Sequence, residues 1–277
     1  MTNDDDPFRV RASSWGSLFN CAYQWEGVHI LGMKSPSSPR ATLGTAIHAS
    51  TAEYDLGRLN GLDMDVTETA YTFIEALRNP EYDVDWRNSD LSLKEAEKIG
   101  ITLHSMYCTQ VAPKYEYIAV ELETKPMVID CGGGVKIQLT GTLDRTRITK
   151  CGAGIGIADL KTGAASVSQG KAKTAAHRPQ IGTYELLYEH TTGTRCTAPG
   201  EIIGLKTKGK AEYGTGQVIG ARDLMVGVEP SEDSDGYAGL IKIGADMFRA
   251  GLFPPNTQSF TCSERYCPRW SKCHYHE

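Results

Sequence analysis

Between Tyr115 and Gly163 the chain runs YEYIAVELET, MVIDC, VKIQLTGTLDRTRIT and IGIADLKT, four segments rich in β-branched residues and parted by glycines. Nothing else in the 277 residues limits the fold as tightly. Segments of this kind read as strands, and the breaks GGG at 132–134 and CGAG at 151–154 read as hairpin connections. A sheet assembled from them has apolar faces to cover, and the segments on either side have the period of helices.

Ser13 or Ser14 can cap a helix through Trp15, Leu18, Phe19 and Tyr23. After the Ser/Pro-rich break SPSSPR at 35–40, a second helix is expected from Leu43 to about Leu59. Two more, Val66–Leu77 and Ser92–Val111, are joined by a polar stretch with Pro80 and Trp86. Beyond the strands come a helix from about His177 to His190, a strand EIIGLK, and helix again over 236–250. The expected fold class is therefore α/β, a central mixed sheet flanked by helices. Residues 1–59 read as N-terminal helices, 60–112 as a helical insertion or lid, 113–250 as the core, and 251–277 as a cysteine-bearing lobe.

The acidic, polar opening MTNDDDPFRV lacks the pattern of a signal peptide, and no run of about eighteen apolar residues offers a membrane span. The expectation is a soluble, cytoplasmic protein of a bacterial, archaeal or phage-infected cell, without a membrane partner. A net charge of -5 does not advertise a nucleic-acid binder, but the local field matters more than the total. Between Leu160 and Tyr184 there is no acidic residue, while Lys161, Lys171, Lys173 and Arg178 are basic. Lys206, Lys208 and Lys210 form a second cluster. These are candidate phosphate contacts, and solvated loop charges are the plainer alternative.

The segment GTLDRTRITKCGAGIGIADLKTG at 141–163 carries the chemistry. A turn centred near Gly152 would set Asp144 opposite Asp159, and strand residues two apart share a face, so Lys161 joins them. Two carboxylates offer hard oxygen ligands for Mg²⁺ or Mn²⁺, with an ammonium alongside to manage an attacking water. Glu121 and Glu123 on the preceding strand could approach the metal site, but alternation allows only one face and does not say which face that is.

Gly141-x-x-Asp144 followed by Asp159-Leu160-Lys161-Thr162-Gly163 resembles the two central motifs of the RecB-type branch of the PD-(D/E)XK nucleases. Gly44-Thr45-Ala46-Ile47-His48 resembles the branch's glycine-histidine helix, and Gln180-x-x-x-Tyr184 its glutamine-tyrosine motif. The resemblance covers roughly 13–50 and 115–277, with no counterpart for 55–112. It implies a restriction-endonuclease-like core and hydrolysis of DNA phosphodiester bonds. It implies a metal held by His48, Asp144, Asp159 and the Leu160 carbonyl, with Lys161 on the water. Gln180 and Tyr184, at i,i+4 on one helical face, would align the strand.

Of eight cysteines, Cys262, Cys267 and Cys273 crowd the C-terminus and Cys21 stands alone near the N-terminus, while Cys131 and Cys151 adjoin glycines in turns. Without a secretory signal, metal binding outranks a disulfide framework. The set is similar to the [4Fe–4S] staple of AddB-type and small CRISPR-associated nucleases, one cysteine before the core and three after it. Four residues separate Cys262 from Cys267 where two are usual. Zn²⁺ is the competing ligand, with His274 or His276 replacing a cysteine.

Gly204–Lys210 nearly spells a P-loop, but Ala211 lacks the hydroxyl that would meet Mg²⁺ and EYGTGQVIG reads as strand and turn, so ATP binding is rejected. The expected function is a Mg²⁺- or Mn²⁺-dependent exonuclease of recombination, repair or phage DNA processing, acting on single-stranded or duplex ends. A CRISPR-adaptation nuclease that trims DNA and a silent DNA-end-binding adaptor are the alternatives. A homo-oligomer or recombination partners would suit any of these readings.

Overall fold

The computed structural model describes residues 6–34, 37–87, 89–149, 152, 154–232 and 235–276. Cys151 lies outside the described residues. The chain opens on a strand, β1 (Phe8–Arg11), followed by helices α1 (Trp15–Asn20) and α2 (Ala22–His29). The single helix expected through Tyr23 breaks at Cys21, whose backbone is extended (φ -150°, ψ 93°) between α1 and α2.

Helix α3 (Pro39–Leu59) starts a turn earlier than expected. Ser38 accepts a hydrogen bond from the Ala41 N–H, and Pro39 fits the first turn, where its missing N–H costs nothing. Asp65 caps α4 (Val66–Arg78). Ser92 and Glu95 form a reciprocal capping box on α5 (Leu93–Met106). The helix expected to reach Val111 loosens into a π turn over Tyr107–Val111.

The strands follow: β2 (Glu116–Glu123), β3 (Met127–Asp130), β4 (Lys136–Thr140), β5 (Thr142–Ile148) and β6 (Ile155–Gly163). GGG turns β3 into β4, with all three glycines at positive φ. The run VKIQLTGTLDRTRIT is divided at Gly141, so β4 joins β1 and β3 in a small sheet while β5 enters the large one. Short strands β7 (Val167–Ser168) and β8 (Lys171–Ala172) precede α6 (Arg178–Thr192), β9 (Gly200–Lys206) and β10 (Tyr213–Val218). Then come α7 (Ala221–Val226), the ribbon β11 (Gly227–Val228) with β12 (Tyr237–Ala238), and α8 (Leu240–Arg249).

The large sheet has seven strands in the order β2-β5-β6-β9-β10-β8-β7 and is mixed. β5 runs antiparallel to β6, whereas β6 and β9 are parallel and joined through α6, as parallel neighbours require. The fold class is thus mixed α/β, as expected. Leu143, Ile157 and Ile202 pack with Trp15, Trp25, Ile181 and Leu187 on one side. Ala158, Leu160, Ile203 and Leu205 pack with Leu43, Ile47, Phe73 and Leu103 on the other. Helices α4 and α5, from the stretch 60–112, therefore contribute to the same apolar cluster as the central strands. No helix among the described residues is long and apolar enough to cross a membrane.

Candidate active site

The β5–β6 ladder ends at the pair Arg145–Ala158. One step further the strands part, and the Asp144 carboxylate takes the place of a backbone acceptor: its Oδ2 accepts from the Leu160 N–H at 2.9 Å. On β6, Lys161 Nζ lies 2.6 Å from Asp159 Oδ2. Asp144, Asp159 and Lys161 thus meet at the point where the hairpin opens.

Helix α3 closes the site because Gly44 lets it approach β6. A Cβ there would lie 2.7 Å from the Thr162 Oγ1. One turn on, His48 Nδ1 reaches to 3.4 Å from Asp144 Oδ2, and its ring also bonds the Leu160 backbone. Desolvation lowers the His48 pKa against the pull of Asp144, so the ring is neutral and can act as a ligand. From α6, Gln180 Nε2 donates to Asp159 Oδ1 at 3.1 Å and contacts the Tyr184 hydroxyl at 3.0 Å. The five residues read from the two strands and α6, and His48 from α3, are brought together.

Two further features were not resolved by the sequence. Of the acidic pair on β2, it is Glu121 that faces the site. It adopts a left-handed φ of 47° between the ladder pairs Val120–Arg145 and Leu122–Leu143, and no side-chain pattern signals such a backbone. Burial and nearby Asp144 push its carboxyl up to about 7, against the pull of Arg145. The second feature is Arg145 itself, 2% exposed. Its Nε donates to Asp55 Oδ2 at 2.7 Å, and its Nη1 to Glu121 at 3.1 Å and to the Asp144 carbonyl at 2.7 Å. Asp55 also accepts from the Tyr107 hydroxyl at 2.5 Å. A buried brace from α3 and the π turn thereby fixes the backbone of Asp144.

Among the described residues, no three His, Cys, Asp or Glu side chains are gathered closely enough to count as a preformed metal cage. The donors nevertheless suit a hard divalent cation. Asp159 is fully buried, and its Oδ2 has the Lys161 ammonium nearby but no hydrogen bond of acceptable geometry. Burial and then Asp144 raise its pKa, a cost that a cation between the two carboxylates would remove.

The expected phosphate contacts have mixed fates. Arg178 Nη2 is turned to the Ile219 and Gly220 carbonyls, at 3.3 and 3.4 Å. Lys206 pairs with Glu212 at 3.3 Å. Lys171 is exposed on β8, Lys173 follows it, and Lys208 and Lys210 lie in the β9–β10 turn. That turn leads into an antiparallel hairpin rather than a helix, in keeping with the rejected P-loop.

The C-terminal tail folds back on α1 and α2. Asn256 N–H contacts Cys21 Sγ at 3.4 Å and its side chain donates to the Asn20 carbonyl at 2.9 Å. Gln24 Nε2 donates to the Tyr266 carbonyl at 2.9 Å, and Arg269 pairs with Glu26 at 2.7 Å. Burial raises the Cys262 and Cys267 thiols, and the neighbouring thiols of Cys21 and Cys273 raise both further, but among the described residues these cysteines do not form a metal-binding group. His276 instead stacks on Trp270 and bonds its carbonyl at 2.8 Å.

A search among curated proteins gives no match. Among solved structures, the chain is similar to a candidate exonuclease from Eubacterium rectale, with 13% identity over 92% of this chain and 87% of that one and a TM-score of 0.49. The profile of the PD-(D/E)XK nuclease superfamily matches residues 12–274. That span takes in β5, β6, α3 and α6 with the residues they bring together, and this chain belongs to the PD-(D/E)XK nuclease superfamily.

Proposed function

We propose that the protein is a Mg²⁺- or Mn²⁺-dependent deoxyribonuclease of the RecB-like branch that acts on DNA ends. The observation that carries this reading is the meeting of Asp144, Asp159, Lys161 and His48 at the opened end of the β5–β6 hairpin. His48, Asp144, Asp159 and the Leu160 carbonyl would hold the cation, which when bound stabilises charge on the phosphate and acidifies a water. Lys161 Nζ, anchored beside Asp159, orients that water and offsets the charge that develops in hydrolysis. Gln180 holds Asp159 and Tyr184 in register, so the strand is aligned against the same carboxylate that binds the metal.

In this reading residues 113–250 are the nuclease core, 1–59 carry His48 and Cys21, 60–112 are an insertion, and 251–277 are the cysteine lobe. Cys21, Cys262, Cys267 and Cys273 hold a structural [4Fe–4S] cluster that ties the chain ends together, with Zn²⁺ as the alternative. The tail contacts on α1 and α2, and the diversion of His276 to Trp270, support four cysteines as the ligands.

The test is cleavage of end-labelled linear and closed-circular DNA with Mn²⁺, Mg²⁺ or EDTA, for native protein and Lys161→Ala. Metal-dependent loss of the linear substrate by native protein alone is expected. A folded native protein that cuts nothing would move the end-binding adaptor ahead. Iron, sulfide and zinc analysis of anaerobically purified native and Cys267→Ser protein tests the cluster. Iron and sulfide should be present in the first and lost from the second, and zinc in their place would refute iron–sulfur.

A further inference from the structure

Strand β1 is an edge strand paired in parallel with β4. Its alternation buries Val10 and stacks Phe8 on Phe248 with ring centroids 4.5 Å apart. The same alternation turns Arg9 and Arg11 outward, and both are exposed. Among the described residues neither guanidinium has a hydrogen bond or ion pair, unlike Arg178, Lys206 and Arg145. Two cavities meet at this pair. One, of about 440 Å³, is lined by Arg9, Arg11, Ser13, Glu123, Thr142 and Tyr184. The other, of about 910 Å³, continues past the same two arginines to His29, Lys34 and Tyr82.

The first cavity abuts the candidate active site. Tyr184 is bonded through Gln180 to Asp159, and Thr142 stands two residues before Asp144. Tyr184 and Thr142 are therefore shared between the surroundings of the two carboxylates and a lining that runs on to Arg11, Arg9 and Lys34, although neither carboxylate lines the cavities itself. The charged residues along it are Arg9, Arg11 and Lys34 against Glu123 and Asp83, a net positive track on a chain of net charge -5. Strand residues two apart are separated by about 6.6 Å. That interval is comparable to the distance between successive phosphates of one extended strand.

We propose that Arg9 and Arg11 form a phosphate-binding track that holds a single polynucleotide strand as it passes to or from Asp144 and Asp159. The proposal rests on the nuclease reading for its substrate, but the track can be tested by binding alone. Each phosphate neutralised on a single strand contributes about 0.7 to the slope of log affinity against log salt. Two arginines should therefore account for about 1.4 of that slope, and for an order of magnitude or more in affinity at low salt.

The experiment is fluorescence anisotropy of a short labelled single-stranded oligonucleotide in EDTA, across a salt series. It compares native protein with Arg9→Ala/Arg11→Ala and Arg9→Lys/Arg11→Lys, after matched melting curves show that all three are folded. The alanine pair should lower the slope by about 1.4, and the lysine pair should restore it because charge rather than shape sets this quantity. An alanine pair with the native slope, a lysine pair as weak as the alanine pair, or a native protein that does not bind the strand would each overturn the track. Cleavage assayed in parallel separates the two readings. Lost binding with no cutting by native protein leaves the track standing and removes the nuclease, whereas cutting with unchanged binding does the reverse.

Discussion

Replacing Asp55 by alanine tests whether the brace behind Asp144 is as tightly coupled as its geometry indicates. The Asp55 side chain is 0% exposed and Arg145 2%, with Arg145 Nε 2.7 Å from Asp55 Oδ2. Burial pushes the Asp55 carboxyl up, while Arg145 and the Tyr107 hydroxyl pull it back down by addressing the charged form. Removing one partner of a buried pair costs about 3–5 kcal/mol, because the other charge is left uncompensated. Here Arg145 would keep Glu121 at 3.1 Å and the Asp144 carbonyl at 2.7 Å, and Tyr107 would keep the Tyr117 hydroxyl at 3.2 Å. The loss should therefore fall near the lower limit, about 3 kcal/mol. In a chain of this size that is a fall of roughly 6–12 °C in Tm. Urea unfolding and thermal melting of native and Asp55→Ala protein measure it directly. Pairing Asp55→Leu with Arg145→Met should recover most of the stability, since no buried charge is stranded, yet leave cleavage impaired because the Asp144 carbonyl and Glu121 lose their common donor. A single variant less than about 1 kcal/mol below native would refute the brace.

Other expectations follow from helix α6. A Cβ on Gly182 would lie 2.1 Å from the Ala221 backbone oxygen and 2.7 Å from Met225 Cγ, so Gly182→Ala must push α7 away. About 3 kcal/mol should be lost in urea unfolding, together with cleavage, because α6 carries Gln180 and Tyr184; a near-native midpoint would contradict the close helix contact. Burial pushes Glu185 up to about 7, with Arg222 opposing. The folded chain then holds a proton that the unfolded chain releases between pH 4.5 and 7. This contribution to stability is full below pH 4.5 and is lost as pH rises through about 7. Glu185→Gln should flatten that decline in a series of urea midpoints, and an unchanged pH profile would show that Glu185 is ionised in the fold.

Much of this molecule can be read from local pattern. Alternation and β-branching marked β2, β5, β6 and β9, and the helical period marked α3, α4 and α6, because each signal is carried by residues within a few positions of one another. Strand β1 was not read from the sequence, because the alternation Phe8-Arg9-Val10-Arg11 is short and follows a run of acidic residues. The break of the first helix at Cys21 was not legible. The residues around it suit a helix, and the contact that accompanies the extended Cys21 backbone comes from Asn256, 235 positions away.

The candidate site divides in the same way. Asp144, Asp159 and Lys161 could be set together from sequence alone, because a hairpin turn and a two-residue period fix which side chains meet. Glu121 could not be chosen over Glu123, because residues two apart share a strand face, and the left-handed φ at Glu121 follows from the packing of the sheet rather than from the side-chain alternation. Nor does sequence reveal that Arg178 is spent on backbone carbonyls while Arg9 and Arg11 have no side-chain partner among the described residues, since each basic residue reads alike until its neighbours are known. Sequence by itself determined the fold class and the meeting of Asp144, Asp159 and Lys161 at the end of the β5–β6 hairpin, where the partners are local. Only the tertiary structure decided which charges are braced and which lack a partner among the described residues, because their partners come from elements remote in the chain.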